Sequence, residues 1–230
     1  MEQAEGYLAT FDSQTTVFED PANNYVAKQE IGADGCGITM VTYKAEGLTE
    51  EMWSRWEQDP LGIGAEINPK LSSTALPDSE GCKVHHIKMK MPMMISNRTM
   101  VTCWYEAQTD DGWKKKFHSS KGNEQITADA AAAIGKDVIG TIHVAYYAWK
   151  PYEGGMEIKF VNKVDPNGSI PDMIKNKMAK RMSNGVMNLV NFLKTGAKPG
   201  DDWTSLEWER EREEFLILLV LKKVSCFLKA

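Results

Sequence analysis

VDPNGSIPDMIKNKMAKRMSNGVMNLVNFLKTG, residues 164–196, decides the fold. Within it Ile170, Ile174, Met178, Met182, Val186, Leu189 and Leu193 recur three and four positions apart, which places them on one face of a helix. Pro171 suits the first turn, where its missing N–H leaves no bond unmade. Ser169 or Gly168 can cap the start, and Asp172 complements the helix dipole. Gly196 ends the pattern. The spacing predicts a helix over 171–194, the longest in the chain, and its apolar stripe needs a broad surface to cover it.

The residues before it supply that surface as strands. Tyr25–Ile31 and Gly37–Lys44 read as a hairpin around the turn 31–35. Thr49 then caps a short helix with Trp53 and Trp56 on one side, which stops before Asp59-Pro60. A strand is expected around 65–75. In Lys83–Met91 the residues His85, Ile87, Met89 and Met91 alternate with His86, Lys88 and Lys90, the pattern of a strand with one dry and one wet side. Further strands are predicted over Arg98–Gln108 and Trp113–Ser119, joined by the turn Asp110-Asp111-Gly112. Residues 120–137 read as a loop with a short helix, and Val138–Trp149 and Gly155–Val164 as a last strand pair. One sheet of this length must curl. The expected class is α+β: a curved antiparallel β-sheet gripping a long C-terminal α-helix, with an internal apolar cavity between them.

Three regions are expected: a lead-in over 1–22, the sheet-and-helix domain over 23–195, and a linker with a helical tail over 196–230. In the tail, the acids of EWEREREE precede the apolar run Phe215–Leu221, which is too short to span a bilayer. Such a helix would dock on the domain, meet a partner, or lie on a membrane.

Composition narrows the function. A net charge of -5 argues against nucleic acid, which needs a basic face. The 13 Met residues favour an adaptable apolar lining, because Met is unbranched and polarizable. Ser119-Ser120 has no G-x-S-x-G setting, no phosphate-cradling glycine loop follows a strand, and no Cys sits in a thiolate-stabilising motif, so no catalytic residue is assigned. No metal site and no cofactor are expected, since no His/Cys/acid set converges on one element and His118 and His143 share no spacing with His85. The four cysteines read as buried or free thiols in a reducing compartment. MEQAEGYLATFD carries three acids and no apolar run, so no signal peptide is read there. The protein is expected to be cytoplasmic.

Three stretches, in this order, resemble the START domain, the StAR-related lipid-transfer fold of the helix-grip (Bet v 1-like) superfamily. Trp56–Lys70 (WEQDPLGIGAEINPK) is similar to that family's short helix and following strand, with its Asn-Pro. Met91–Val101 (MPMMISNRTMV) resembles its strand–loop–strand, which usually ends in Arg-Asp. Val164–Leu193 resembles its acidic–Gly–x–Ile-Pro lead into the last helix. The likeness runs from about Gly32 to Lys194. Thr99 departs from it, standing where an Asp is usual. The acid and arginine that some sterol-binding members place in the cavity fall here on His85 and Trp104.

The resemblance implies a non-enzymatic domain that binds one lipid, a sterol, phospholipid or similar apolar molecule, for intracellular transfer or sensing. Strand parity would then aim His85, Ile87, Met89 and Met91 at the ligand, with Trp104 and Tyr147 as walls. Met156, Ile158 and Phe160 would face it from the last strand, and Ile174, Met178, Met182 and Val186 from the helix. For His85, Trp104 and Tyr147, simple core packing is the competing reading. Pro92, Met93, Met94 and Ile95 form an apolar loop suited to a gate or a membrane-touching lip. Arg98 would anchor that loop on a backbone carbonyl or an acid. The expected partners are the lipid and, transiently, a membrane surface, with the protein a monomer and peripheral at membranes. Two other classes fit the same pattern: a helix-grip enzyme acting on a hydrophobic substrate, and a ligand-free interaction or co-chaperone module.

Overall fold

Alternation becomes strand pairing along most of the chain. A computed structural model of the protein describes residues 1–79, 82–91, 95–120, 136–170 and 172–199, with side chains outside Ser79 and 172–180. The strands are β1 (Thr15–Asp20), β2 (Tyr25–Ile31), β3 (Gly37–Glu46), β4 (Leu71–Ser79), β5 (Cys82–Met89), β6 (Arg98–Gln108), β7 (Lys114–Ser120), β8 (Val138–Ile139), β9 (Thr141–Tyr152) and β10 (Gly155–Asp165). They form one curved sheet in the order β1-β2-β3-β10-β9-β7-β6-β5-β4, antiparallel throughout, with β8 added parallel to β6. The helices are α1 (Glu2–Ala9), α2 (Glu50–Gln58), α3 (Pro60–Ile67) and α4 (Asp172–Thr195).

The long helix lies where its stripe requires. Val186, Leu189, Val190, Phe192 and Leu193 of α4 are buried against Tyr25, Val41, Tyr43, Ile158 and Phe160 of the sheet. Trp53 and Trp56 of α2 close the cluster, with ring centroids 4.6 Å apart. Gly196 ends α4 with φ at 72°, a left-handed conformation that glycine adopts without strain. Its amide donates to the Phe192 carbonyl at 2.8 Å.

Two expectations change. The strand read over 65–75 is a helix as far as Ile67, and β4 starts only at Leu71. Pro60 stops α2 and also starts α3. Asp59 caps that helix by accepting from the Gly62 amide at 2.8 Å, and proline is pre-set for the first turn. The second change concerns 1–22, which contributes more than a lead-in. β1 pairs with β2, and α1 buries Ala4 against Ile38, Met40, Tyr146 and Val161 on the convex side of the sheet. Deleting residues 1–12 should therefore expose this second apolar face. The melting temperature should fall by about 5 °C and binding of a hydrophobic dye should rise. An unchanged melt would mean that α1 covers nothing of consequence.

The cysteines also differ from expectation. Cys82 and Cys103 form a disulfide between β5 and β6, with Cα atoms 5.6 Å apart. Cys36 is free and half-buried, and Cys226 lies outside the described residues. Disulfides persist in oxidising compartments, so this pair removes the cysteine argument for a reducing one.

Candidate functional site

Strand register collects a polar patch on the concave face, the side that α4 covers. His85 on β5 stands opposite Thr102 on β6, and Trp104 on β6 opposite His118 on β7. The Trp104 and His118 rings stack, with centroids 3.9 Å apart and planes 5° from parallel. His118 lies opposite Ala145 on β9, which in turn faces Asn162 on β10. Around this patch the wall is apolar: Leu61 from α3 joins Ile87, Met100, Ile142 and Ala145.

The patch is short of hydrogen bonds. His85 Nδ1, Thr102 Oγ1, Trp104 Nε1, His118 Nδ1 and Asn162 Oδ1 are shut off from solvent and have no partner. Buried polar groups are ordinarily paired, because an unpaired one pays its desolvation without return. Two further atoms of this kind belong to Trp53 on α2 and Asn184 on α4.

Both imidazoles are held neutral. Burial pushes the His118 pKa down to about 3, with the nearby His85 a smaller cause. Burial also lowers that of His85, against opposing pulls from Asp59 and Asp78. The buried cation beside them is already satisfied: Lys116 Nζ donates to the Glu57 carbonyl at 2.5 Å and pairs with Glu106 at 3.0 Å.

The other expected site residues divide by position. Ile87 is buried beside Leu61, and Met89 and Met91 are half-buried. Tyr147 is half-buried between Trp56 and Phe160, at centroid distances of 4.5 and 4.7 Å. Met156, Ile158, Phe160 and Val186 sit in the cluster under the C-terminal half of α4, packed by protein side chains. Met182 is half-buried, and the side chains of Ile174 and Met178 lie outside those described. Of the expected gate, Pro92, Met93 and Met94 also lie outside, while Ile95 is half-buried. Arg98 is 2% exposed and anchors its loop on backbone carbonyls alone. Its Nε donates to Pro166 O at 2.8 Å, one terminal nitrogen to Asn167 O at 2.9 Å, and the other to Ser96 O. Thr99, in the position of the missing Asp, bonds His86 Nε2 on the opposite face. His86, read as a wet-side residue, is in fact buried.

Thr102, His118 and Asn162 were not read from the sequence. Counting outward from the hairpin turn finds one of them. Gln108 opposite Lys114 fixes Trp104 opposite His118, four steps from the turn on each strand.

Two other features lie apart from this patch. An open groove of 550 Å³ at the β1–β2–β3 edge is bounded by Phe11, Glu19, Asn24, Thr42, Lys44 and Glu157, none of them an expected ligand residue. At one end of the sheet, donor atoms of Asp34, Cys36 and His143 come within 4.8 Å of one another, from elements far apart in sequence. The Asp34 carboxylate there is engaged by Lys163 at 2.6 Å and by the Cys36 amide at 3.0 Å.

The sequence matches no protein-family model and no curated protein. Solved structures do match. Human STARD10 superposes with a TM-score of 0.65 at 11% identity, over 94% of this chain and 84% of that one. Human StAR-related lipid transfer protein 5 gives 0.62 at 14% identity, over 84% and 95%. The STAR-related lipid transfer protein of Xanthomonas axonopodis gives 0.60 at 14% identity, over 79% and 99%. The chain has the START-domain fold. Identities this low carry the fold alone, so ligand and role rest on the site. Among the described residues, no helix of this START-like domain is long and apolar enough to cross a membrane.

Proposed function

We propose that the protein binds a single lipid between the concave face of its sheet and α4, for transfer between membranes or for sensing. The observation that supports this most is the set of buried, unpartnered polar atoms within an apolar wall, on the face a START fold uses to enclose space. A lipid end placed there would return the missing hydrogen bonds. Its chains would leave water, contributing roughly 0.8 kcal/mol per CH₂. No protein group is asked to do chemistry. The ligand sits towards the β5–β7 side, because the opposite side of the concave face is filled by α4 and α2. Pro92, Met93, Met94 and Ile95 serve as the gate and as a transient membrane contact, and the protein works as a monomer without nucleic acid.

Native mass spectrometry of the purified full-length chain tests this. The expected result is one lipid mass per chain, either co-purified or taken up from phosphatidylcholine vesicles doped with sterol and diacylglycerol. A chain that purifies empty and takes up nothing would sink lipid binding and leave the ligand-free interaction module.

A further inference from the structure

We propose that Asp34, Cys36 and His143 form a binding site for one divalent cation of the zinc class at one end of the sheet. The site is independent of the lipid reading.

A strand irregularity brings the third ligand in. Val144 packs in the convex cluster and Ile142 in the concave one, although residues two apart on a regular strand share a face. The parity changes at His143. Lys163 pairs with Val144 and Val164 with Ile142, which leaves His143 as the extra residue of a bulge. Its imidazole thereby meets the turn between β2 and β3, where donor atoms of Asp34, Cys36 and His143 all lie within 4.8 Å of one another. The turn leaves them room. A Cβ on Gly32 would stand 2.7 Å from Asp34 Oδ1 and 3.4 Å from Lys163 Nζ, so the bare glycine leaves the carboxylate its place. This set replaces the expectation of no metal site. Asp34 and Cys36 come from one turn and His143 from a distant strand, so no spacing on a single element announces it.

The donors select the ion. Thiolate, imidazole and carboxylate together suit zinc, at bonds of about 2.0–2.3 Å, with water in the fourth position. Calcium and magnesium prefer oxygen ligands alone. Neighbouring ligands on a tetrahedral zinc stand roughly 3.3–3.8 Å apart, so these donors need to draw in by about 1 Å. Asp34 and His143 lie at the surface, where such a shift disturbs little packing.

Lys163 is the competitor already in place, since its Nζ holds Asp34 Oδ2 at 2.6 Å. Asp34 Oδ1 accepts from the Cys36 amide at 3.0 Å. A carboxylate offers about four acceptor positions, so both bonds can stay while an oxygen turns a second lone pair to the ion. Asp165 hydrogen-bonds the Cys36 thiol. On binding, the ion takes the place of the thiol proton, which leaves to solvent. The thiolate, Asp34 and Asp165 then balance Lys163 and a divalent cation, with no net charge left over.

Zinc and cobalt(II) titrations of the untagged, full-length chain, stripped with a chelator and kept under argon, test the site. The wild type should bind one ion per chain, zinc should raise its melting temperature, and cobalt(II) should show the charge-transfer band of a thiolate ligand. Cys36→Ser should abolish that band, and Cys226→Ser should leave it. His143→Ala and Asp34→Asn should each weaken zinc binding at least about tenfold. Asp34→Asn also loses the Lys163 pair, so His143→Ala, at an exposed position, is the decisive variant: its metal-free melt should match the wild type, and zinc should no longer raise it. No stoichiometric ion on the wild type would overturn the proposal. So would a thiolate band that survives Cys36→Ser, or zinc affinity unchanged in His143→Ala.

Discussion

Arg98→Met should lower the melting temperature by about 10 °C, although the residue touches neither the ligand patch nor the main core. Its guanidinium is buried and bonds three carbonyls from two loops: Ser96 before β6, and Pro166 and Asn167 before α4. A hydrogen bond from a charged donor contributes about 1.5–3 kcal/mol net. Met fills similar space and removes the desolvation that lowers the Arg98 pKa, which offsets part of the loss. The balance is roughly 3–5 kcal/mol, and each kcal/mol moves the melt by about 2–4 °C in a chain of this size. Arg98→Lys keeps the charge but not the fork, so it should fall between the two. Lys88→Met is the control, because its single 3.4 Å pair with Asp137 is partly open to solvent and contributes less than three buried bonds. If Arg98→Met melted with the control, the three bonds would not hold these loops together. The same bonds tie the base of the 92–97 loop to the start of α4, so loosening them should also speed exchange of bound lipid.

What could be read in the sequence follows from how each segment is covered. β2 and β6 have the bounds that alternation and turn residues predict, and α4 ends one residue past the expected 194. Parity put His85, Trp104 and Tyr147 on inward-facing positions, and the register sets them on the concave side of the sheet. It was less informative where both faces of the sheet are buried. In β7, Phe117 packs on the convex cluster under α1, while Lys116 and His118 take the concave side. Read as a one-sided strand, Lys-Lys-Lys-Phe-His would put Phe117 inside and Lys116 and His118 in water. The covering helix comes from residues 2–9, more than 100 positions away, so no local pattern announces it. His118 meets Trp104 across the turn at 110–112, and no spacing along the chain ties it to His85, two strands away on β5. The exchange of an acid–arginine pair for His85 and Trp104 was visible at once. Its consequence, a neutral patch, needed the burial that only packing supplies.

Mild acid should destabilise the wild-type protein, and His118→Phe should remove much of that sensitivity. An imidazole ordinarily titrates near 6.5, and burial pushes that of folded His118 down to about 3. Between those values the unfolded chain holds a proton that the folded chain refuses, so protons favour unfolding. The stability is intact above about pH 6.5 and drains away as the pH falls towards 3. At pH 4.5 the loss from this one residue is roughly 2–3 kcal/mol, or about 5–10 °C in the melt. His85 and His86 are also lowered by burial and push in the same direction. Asp34 and Asp111 are lowered too, but by partners that hold the charged form. Their contribution is lost only as the pH drops through the carboxylate range, so it barely enters a comparison of pH 7 with pH 4.5. Phenylalanine keeps the stack on Trp104 and carries no proton. Melts of both proteins at the two pH values should therefore show a steep fall for the wild type and a shallow one for the variant. Parallel falls would mean that His118 takes up a proton in the fold as readily as in the unfolded chain.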